Sequence, residues 1–302
     1  MNTRPARFAI IQVVLFSGVV PCLLSLFAYF IFGNAPHVHE PLHEALELTG
    51  SCTAFAVAML LWLRSRHDKE SFHLLWVTAA LVTMGLVDAA HALAPFGVTW
   101  SWLRHSASLV GGLLFGLVSL PLPAFAMRRK QVFILTVAAL AVAGSFGIWW
   151  CRDVLPAPWG PGGYTPAGKT ANALGGLGFI AAALHFLRRY LRQPHTDNLV
   201  FGSQALLFGA ASLLFGYSQV WAADWWVWHA CRLLAYAVVL LAAYQFVMRL
   251  YQQIVRDGKE LEARSVDLRR ASLYGRSLLE ASLDPLVTIS REGKITDVNE
   301  AT

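Results

Sequence analysis

The sequence predicts an all-α integral membrane bundle of eight transmembrane helices with both termini cytoplasmic, followed by a linker helix and the opening of an α/β domain. Three observations predict it. Of 302 residues, 56% are apolar and only 14% charged, whereas a soluble domain carries about a quarter charged residues; the mean hydropathy is +0.51. Eight apolar runs succeed one another before residue 250, each close to the ~20 residues that cross ~30 Å of hydrocarbon as a helix. Basic residues alternate from loop to loop, as they do across a bilayer. A water-soluble enzyme is excluded.

The runs are Phe8–Phe32, Leu42–Leu63, Phe72–Leu93, Trp102–Ala126, Gln131–Trp150, Ala171–Phe186, Leu199–Trp221 and Trp226–Leu250. The first is too long for a cleavable signal peptide, and no small-x-small site follows it at Phe32–Pro36. One set of segments carries Arg4 and Arg7; Arg64, Arg66 and Lys69; Arg128, Arg129 and Lys130; Arg188, Arg189 and Arg192; then Arg249 onward. The alternate set carries only Arg152 and Lys169, both in the longest loop. Excess Lys/Arg marks the cytoplasmic side, so a multi-pass membrane protein is expected, with the lipid bilayer as partner and no role for nucleic acid. Trp100, Trp102, Trp149, Trp150, Trp221, Trp225 and Trp226 then fall at the outer interface, where an aromatic belt is expected. The outer loop Cys151–Lys169, with Pro156, Pro158, Gly160, Pro161, Gly162 and Gly163, reads as an irregular lid. Glycine pairs Gly111-Gly112 and Gly175-Gly176, with Gly116 and Gly178, point to a close helix–helix contact. Cys22, Cys52, Cys151 and Cys231 form no CxxC pair and read as small core hydrophobes.

Residues 1–250 thus form the membrane domain, and composition changes after it. Residues 251–276 are charged and helix-prone, with Val247, Ile254, Leu261 and Leu268 spaced by seven. A parallel coiled coil running on from the last span, and with it a homodimer, is one reading; a single solvated linker helix is the other. Residues 277–302 change character again. Leu286–Ile289 and Ile295–Val298 are short β-prone runs around the turn Arg291-Glu292-Gly293-Lys294, a hairpin signal, and the stretch reads as a domain begun and cut short.

Ionisable side chains inside a span are costly and face the bundle interior, so their depth is informative. His43 and Glu47 lie near the outer end of the second span, Asp88 and His91 near that of the third, Arg104 and His105 in the fourth, and His229 and Arg232 in the eighth. Four spans bring His, Asp, Glu and Arg to one level of the outer leaflet. His43 and Glu47 are four apart, and Asp88 and His91 three apart, so each pair shares a helix face. The remaining histidines sit elsewhere: His37 and His39 in the first outer loop, His67 and His195 in inner loops, His73 and His185 at inner ends.

Three readings of this cluster compete. In the first it is a metal site for Zn, Cu or Fe, with His43, His91 and His229 as ligands, Glu47 or Asp88 completing the shell, and His105 as ligand or support. Glu44, Arg104, Arg232 and His39 would orient those ligands or hold the structure around them. In the second, a haem lies between two facing histidines. The third is a network of ion pairs such as Asp88–Arg232 and Glu47–Arg104, holding the spans in register. A rival from another class is an intramembrane zinc-dependent hydrolase, with Glu47 or Asp88 as general base. A transporter rests only on Gln204 and Gln219. The chain holds no kinase H-box, nucleotide-binding loop or cyclase motif and on this reading is not itself an enzyme.

The stretch SLLEASLDPLVTISREGKITDVNEAT, Ser277–Thr302, resembles the beginning of a PAS domain as found in bacterial sensor histidine kinases and diguanylate cyclases. That resemblance implies a complete PAS fold and a C-terminal output domain in the full-length protein. The membrane part resembles the bacterial membrane-associated sensor (MASE) group, through the H-x-x-x-E element His43–Glu47, the D-x-x-H-x-L element Asp88–His91 with Leu93, and the stretch WLRHSASLVGGLLFGLVSLP, Trp102–Pro121. It implies the input module of a signal-transduction protein, located in a bacterial inner membrane. The metal argument comes from residue placement alone.

Overall fold

The computed structural model describes residues 4–67, 74–160 and 163–302. Lys69, His73, Pro161 and Gly162, and the side chains of Arg66 and His67, lie outside the described residues.

Helix α1 (Arg4–Phe32) contains a π-helical turn at Leu15–Val19. Pro21 explains it: proline has no N–H to give and would clash with the Ser17 carbonyl, so the chain widens by one residue just before it. The widened turn carries Ser17 inward, where its hydroxyl meets that of Ser203 at 2.6 Å. Helix α2 (Glu40–His67) is capped by His39, whose Nδ1 accepts the Leu42 N–H at 3.1 Å. Helix α3 is Leu74–Leu93. Helix α4 is Val98–Gly116, and a 3-10 turn, Leu117–Ser119, follows it. Pro121 and Pro123 prevent the helical continuation to Ala126 that hydropathy suggested. A single turn, Ala124–Arg128, leads into α5 (Lys130–Trp150).

The outer loop forms a two-residue hairpin, β1 (Trp159–Gly160) with β2 (Gly163–Tyr164). Helix α6 runs Pro166–Arg192, longer at both ends than its apolar run, with proline favourably placed in its first turn. Helix α7 (Thr196–Phe215) stops six residues short of Trp221, which has a left-handed φ of 70° in the connection. Helix α8 is Ala223–Glu280, so the last span and the expected linker form one unbroken helix. A second hairpin, β3 (Val287–Ile289) with β4 (Ile295–Val298), falls where the alternation placed it. Buried Asn299 secures it: Oδ1 accepts the Leu286 N–H at 2.8 Å, and the amide nitrogen donates to the Asp284 carbonyl at 2.9 Å. The chain divides into two compact units, 1–243 and 244–302.

Seven helices, α1–α3 and α5–α8, are long and apolar enough to cross a membrane among the described residues. Helix α4 falls below that apolarity because Arg104 and His105 stand among its 19 residues, yet it packs between α3 and α6, where neighbours rather than lipid surround its polar groups. Contact between α4 and α6 is backbone on backbone. A Cβ on Gly112 would stand 2.0 Å from the Gly175 carbonyl oxygen, and one on Gly175 would stand 2.2 Å from that of Ser108. Only glycine allows this approach. A core of Leu81, Phe115, Phe179, Phe208 and Tyr236 fills one half of the bundle, and a separate cluster of Trp100, Trp221, Trp225 and Trp228 fills the other.

Candidate functional site

The polar residues singled out by depth meet between these two apolar clusters. His43, Glu47, Asp88, His91, Arg104, His229 and Arg232 are all buried, none more than 6% exposed. With so little of each side chain exposed, these groups meet mainly one another.

His43, Glu47 and His91 each turn one ligand atom into a space where all three atoms lie within 4.8 Å of one another. The Nε2 atoms of His43 and His91 are 3.4 Å apart, and His43 Nε2 is 4.0 Å from Glu47 Oε1. From α8, His229 Nε2 reaches the same Glu47 oxygen at 3.3 Å. The far nitrogens fix the tautomers. His91 Nδ1 lies 2.6 Å from the Trp100 carbonyl oxygen, and His229 Nδ1 lies 2.9 Å from that of Trp225. A carbonyl only accepts, so each Nδ1 carries the proton and, in the neutral ring, each Nε2 presents a lone pair to the centre. At 3.4 Å His43 Nε2 can donate a hydrogen bond to the His91 lone pair, and at 3.3 Å a protonated His229 can pair with Glu47; with those protons absent, the same atoms are free to hold a cation. Four ligands at ~2.05 Å around a tetrahedral ion stand about 3.3 Å from one another, which two of these separations match. A His/Glu/His cluster that can hold a metal is therefore in place, with His229 beside it.

The two ion pairs of the third reading are also present. Arg232 donates to Asp88 Oδ2 at 2.6 Å and lies 3.4 Å from both Glu47 oxygens, while Arg104 Nε is 3.8 Å from Glu47 Oε1. Tyr236 approaches the same Asp88 oxygen at 3.4 Å, while Asp88 Oδ1 is buried without a hydrogen-bond partner among the described residues. Arg104 donates to Ser108 at 2.7 Å and stacks over Phe215 at 4.6 Å. A cavity of about 10 Å³ beside Glu47, His229, Arg232 and Tyr236 has room for about one water.

His105 is not brought into the cluster. Its ring lies between Ser101, 3.1 Å from Nε2, and the Asn172 amide, 2.7 Å from Nδ1, and so joins α4 to α6. Glu44 and His39 are exposed, and His39 spends its nitrogen on the α2 cap. The expected aromatic belt is corrected in part. Trp149 and Trp150 are exposed, but Trp100, Trp221 and Trp225 are buried and roof the histidines: Trp225 lies 5.2 Å from the His43 ring and 3.9 Å from that of His229. The outer hairpin enters this roof through Tyr164, whose hydroxyl accepts from Trp225 Nε1 at 3.2 Å.

Tyr236, Ser108 and Asn172 escaped the sequence reading. Tyr236 had a signal, standing one helical turn beyond Arg232 on the same face. Ser108 had the same one after Arg104. Asn172 had none, because a lone asparagine near a helix start is unremarkable in sequence.

The sequence profile of the membrane-associated sensor domain MASE3 matches residues 34–249, from just before the cap of α2 to the membrane part of α8. That is well over half of the chain. The chain belongs to the MASE3 family. No curated protein matches it, and no solved structure does. The MASE3 domain begins beyond α1, so every polar residue of the cluster falls inside it and the π-helical turn outside it. It is a membrane sensor domain.

Proposed function

We propose that this MASE3 domain is the metal-sensing input module of a bacterial inner-membrane signalling protein. His43, Glu47 and His91, whose ligand atoms lie within 4.8 Å of one another, serve as ligands in this reading, with His229 joining them through Glu47, and zinc is the ion that such imidazole and carboxylate donors suit. One observation carries it: Nδ1 of His91 and of His229 donates to the Trp100 and Trp225 carbonyls, which leaves each Nε2 for the cluster around Glu47. This is the support that metal-ligating histidines ordinarily receive from their surroundings. Arg232, Asp88 and Arg104 hold the carboxylate and the helices in register. Glu47 is shared between the arginines and the ion, so binding changes what Arg104 and Arg232 lean on, and the equilibrium between two packings of α2, α3, α4 and α8 moves by the difference in affinity.

The membrane frame of the proposal is eight spans with α4 as the eighth, both termini cytoplasmic. Output passes along α8, whose Ile254, Leu261 and Leu268 are 61%, 67% and 72% exposed, an apolar seam suited to a parallel homodimer. The hairpin at 287–298 supports the reading of a PAS start, with a kinase or cyclase output domain beyond it. Haem and hydrolase readings fare worse. His43 and His91 are edge to face at 5.1 Å beneath packed tryptophans, which leaves no slot for a macrocycle, and a cavity of one water admits no lipid ester.

Elemental analysis and an absorption spectrum of protein purified without chelators test the metal. One zinc or other transition metal per chain is expected, with no haem band. His91→Ala and His229→Ala should lose the metal while still reaching the membrane. Wild type without stoichiometric metal overturns the proposal.

A further inference from the structure

We propose that the end of the bundle opposite the histidines carries a binding site for the phosphate headgroup of an anionic phospholipid. The chain breaks between the turn Ala124–Arg128 and α5, where Arg129 leaves helical geometry at φ −130°, ψ 60°. That break turns three consecutive cations, Arg128, Arg129 and Lys130, toward one cavity of about 410 Å³ against α2. The volume is in the range of small-molecule sites and far exceeds the ~30 Å³ share of one water.

The lining is two-sided in character. Trp62, Met127 and Val132 supply an apolar floor, the three basic residues supply the charge, and among the described residues no carboxylate lines the cavity. Lys130 is already anchored, its ammonium donating to the Ser65 carbonyl. Arg128 and Arg129 are exposed and form no ion pair among the described residues. The topological preference for basic residues at a cytoplasmic boundary accounts for their sign but not for a cavity with an apolar floor.

Position selects the ligand. Lys130 begins a span, so the cavity opens at the membrane surface, where phospholipid headgroups are the most abundant anions. Two adjacent positive charges suit a phosphate group, and an interfacial tryptophan suits the glycerol and ester region beside them. Basic pockets between spans at this depth are known to hold anionic headgroups. The inference is independent of the metal.

The test uses the whole chain in nanodiscs of phosphatidylethanolamine with or without phosphatidylglycerol, followed by native mass spectrometry of released protein. Wild type should retain phosphatidylglycerol. At the value of one near-surface basic residue each, R128Q/R129Q should weaken retention roughly thirty-fold, and R128K/R129K should keep most of it. Thermal inactivation read by size exclusion shows whether each variant is folded. Equal retention by wild type and R128Q/R129Q overturns the proposal, as does loss of retention in R128K/R129K equal to that in R128Q/R129Q. Inorganic phosphate protecting against heat as well as the lipid does would also overturn it, in favour of a soluble phosphate ligand.

Discussion

Replacing Arg232 by methionine isolates what the ion pairs do from what the histidines do. The guanidinium lies 2.6 Å from Asp88 and 3.4 Å from each Glu47 oxygen, with both carboxylates buried. At an effective dielectric of about 20, the shorter contact is worth about 6 kcal/mol of attraction. Desolvating each ion takes several kcal/mol back, so the pair nets little against an apolar substitute. Breaking it is different: R232M strands two carboxylates without their main countercharge and should cost about 3–5 kcal/mol. Asp88→Asn leaves Arg232 its contact with Glu47 and should cost about 1–3 kcal/mol. The double variant should cost less than the sum by about 1–2 kcal/mol, because its partners are in contact. Reversible unfolding in mixed micelles, followed by circular dichroism, gives the four free energies. Metal content of D88N, measured alongside, should equal that of wild type, since Asp88 faces Arg232 and Tyr236. Additivity within about 0.5 kcal/mol, or loss of metal in D88N, would refute this division of labour.

Two other perturbations follow from named contacts. Gly175→Leu meets the Ser108 carbonyl oxygen at 2.2 Å with its first carbon alone; α4 and α6 must part, at a cost of about 1–3 kcal/mol or more, read as loss of the monodisperse peak in detergent, whereas Gly144→Ala, with nothing within 4 Å, should leave it unchanged. At the second hairpin, Arg276 donates to the Asp297 carboxylate and holds its pKa below the ordinary 3.8. A carboxyl depressed in the folded state stabilises it fully above the unfolded value and loses that contribution as pH falls through the folded one. The protection of amides 287–298 in the whole chain, taken relative to the intrinsic exchange rate at each pH, should therefore fall below pH 3.8 in wild type and show no such step in Asp297→Asn.

The membrane character was legible because it depends on composition alone: eight apolar runs are visible whatever packs against what. Helix ends were less so. Hydropathy carried the fourth run to Ala126, but Pro121 and Pro123 end it on grounds of backbone geometry, and the same scan split α8 at Leu250 because it registers polarity rather than helicity. Depth in the membrane located His43, Glu47, Asp88, His91, Arg104, His229 and Arg232, since seven residues that lipid cannot solvate have only one another to turn to. Depth could not separate roles within the level, however. His105 and His91 stand at similar heights, and only the contacts of α4 send one ring to Asn172 and the other to His43.

The buried tryptophans show the same limit from the other side. Belt residues and roof residues look alike in sequence, because both are aromatic and both lie near a span end. What distinguishes Trp100 and Trp225 is the company of a polar cluster beneath them: an aromatic ring that excludes water from buried charges does more for the chain inside than at the lipid surface. Their carbonyls then orient the imidazoles, so the ring and the backbone of one residue serve the same site. Tyr164 ties the outer hairpin into that roof through Trp225, whose own carbonyl holds His229. The helix that carries His229 and Arg232 continues unbroken to Glu280, so in the proposed mechanism the sensing residues and the route to an output share one element. A change in the partners of Glu47 therefore needs no separate relay to reach α8, because α8 supplies two of those partners itself.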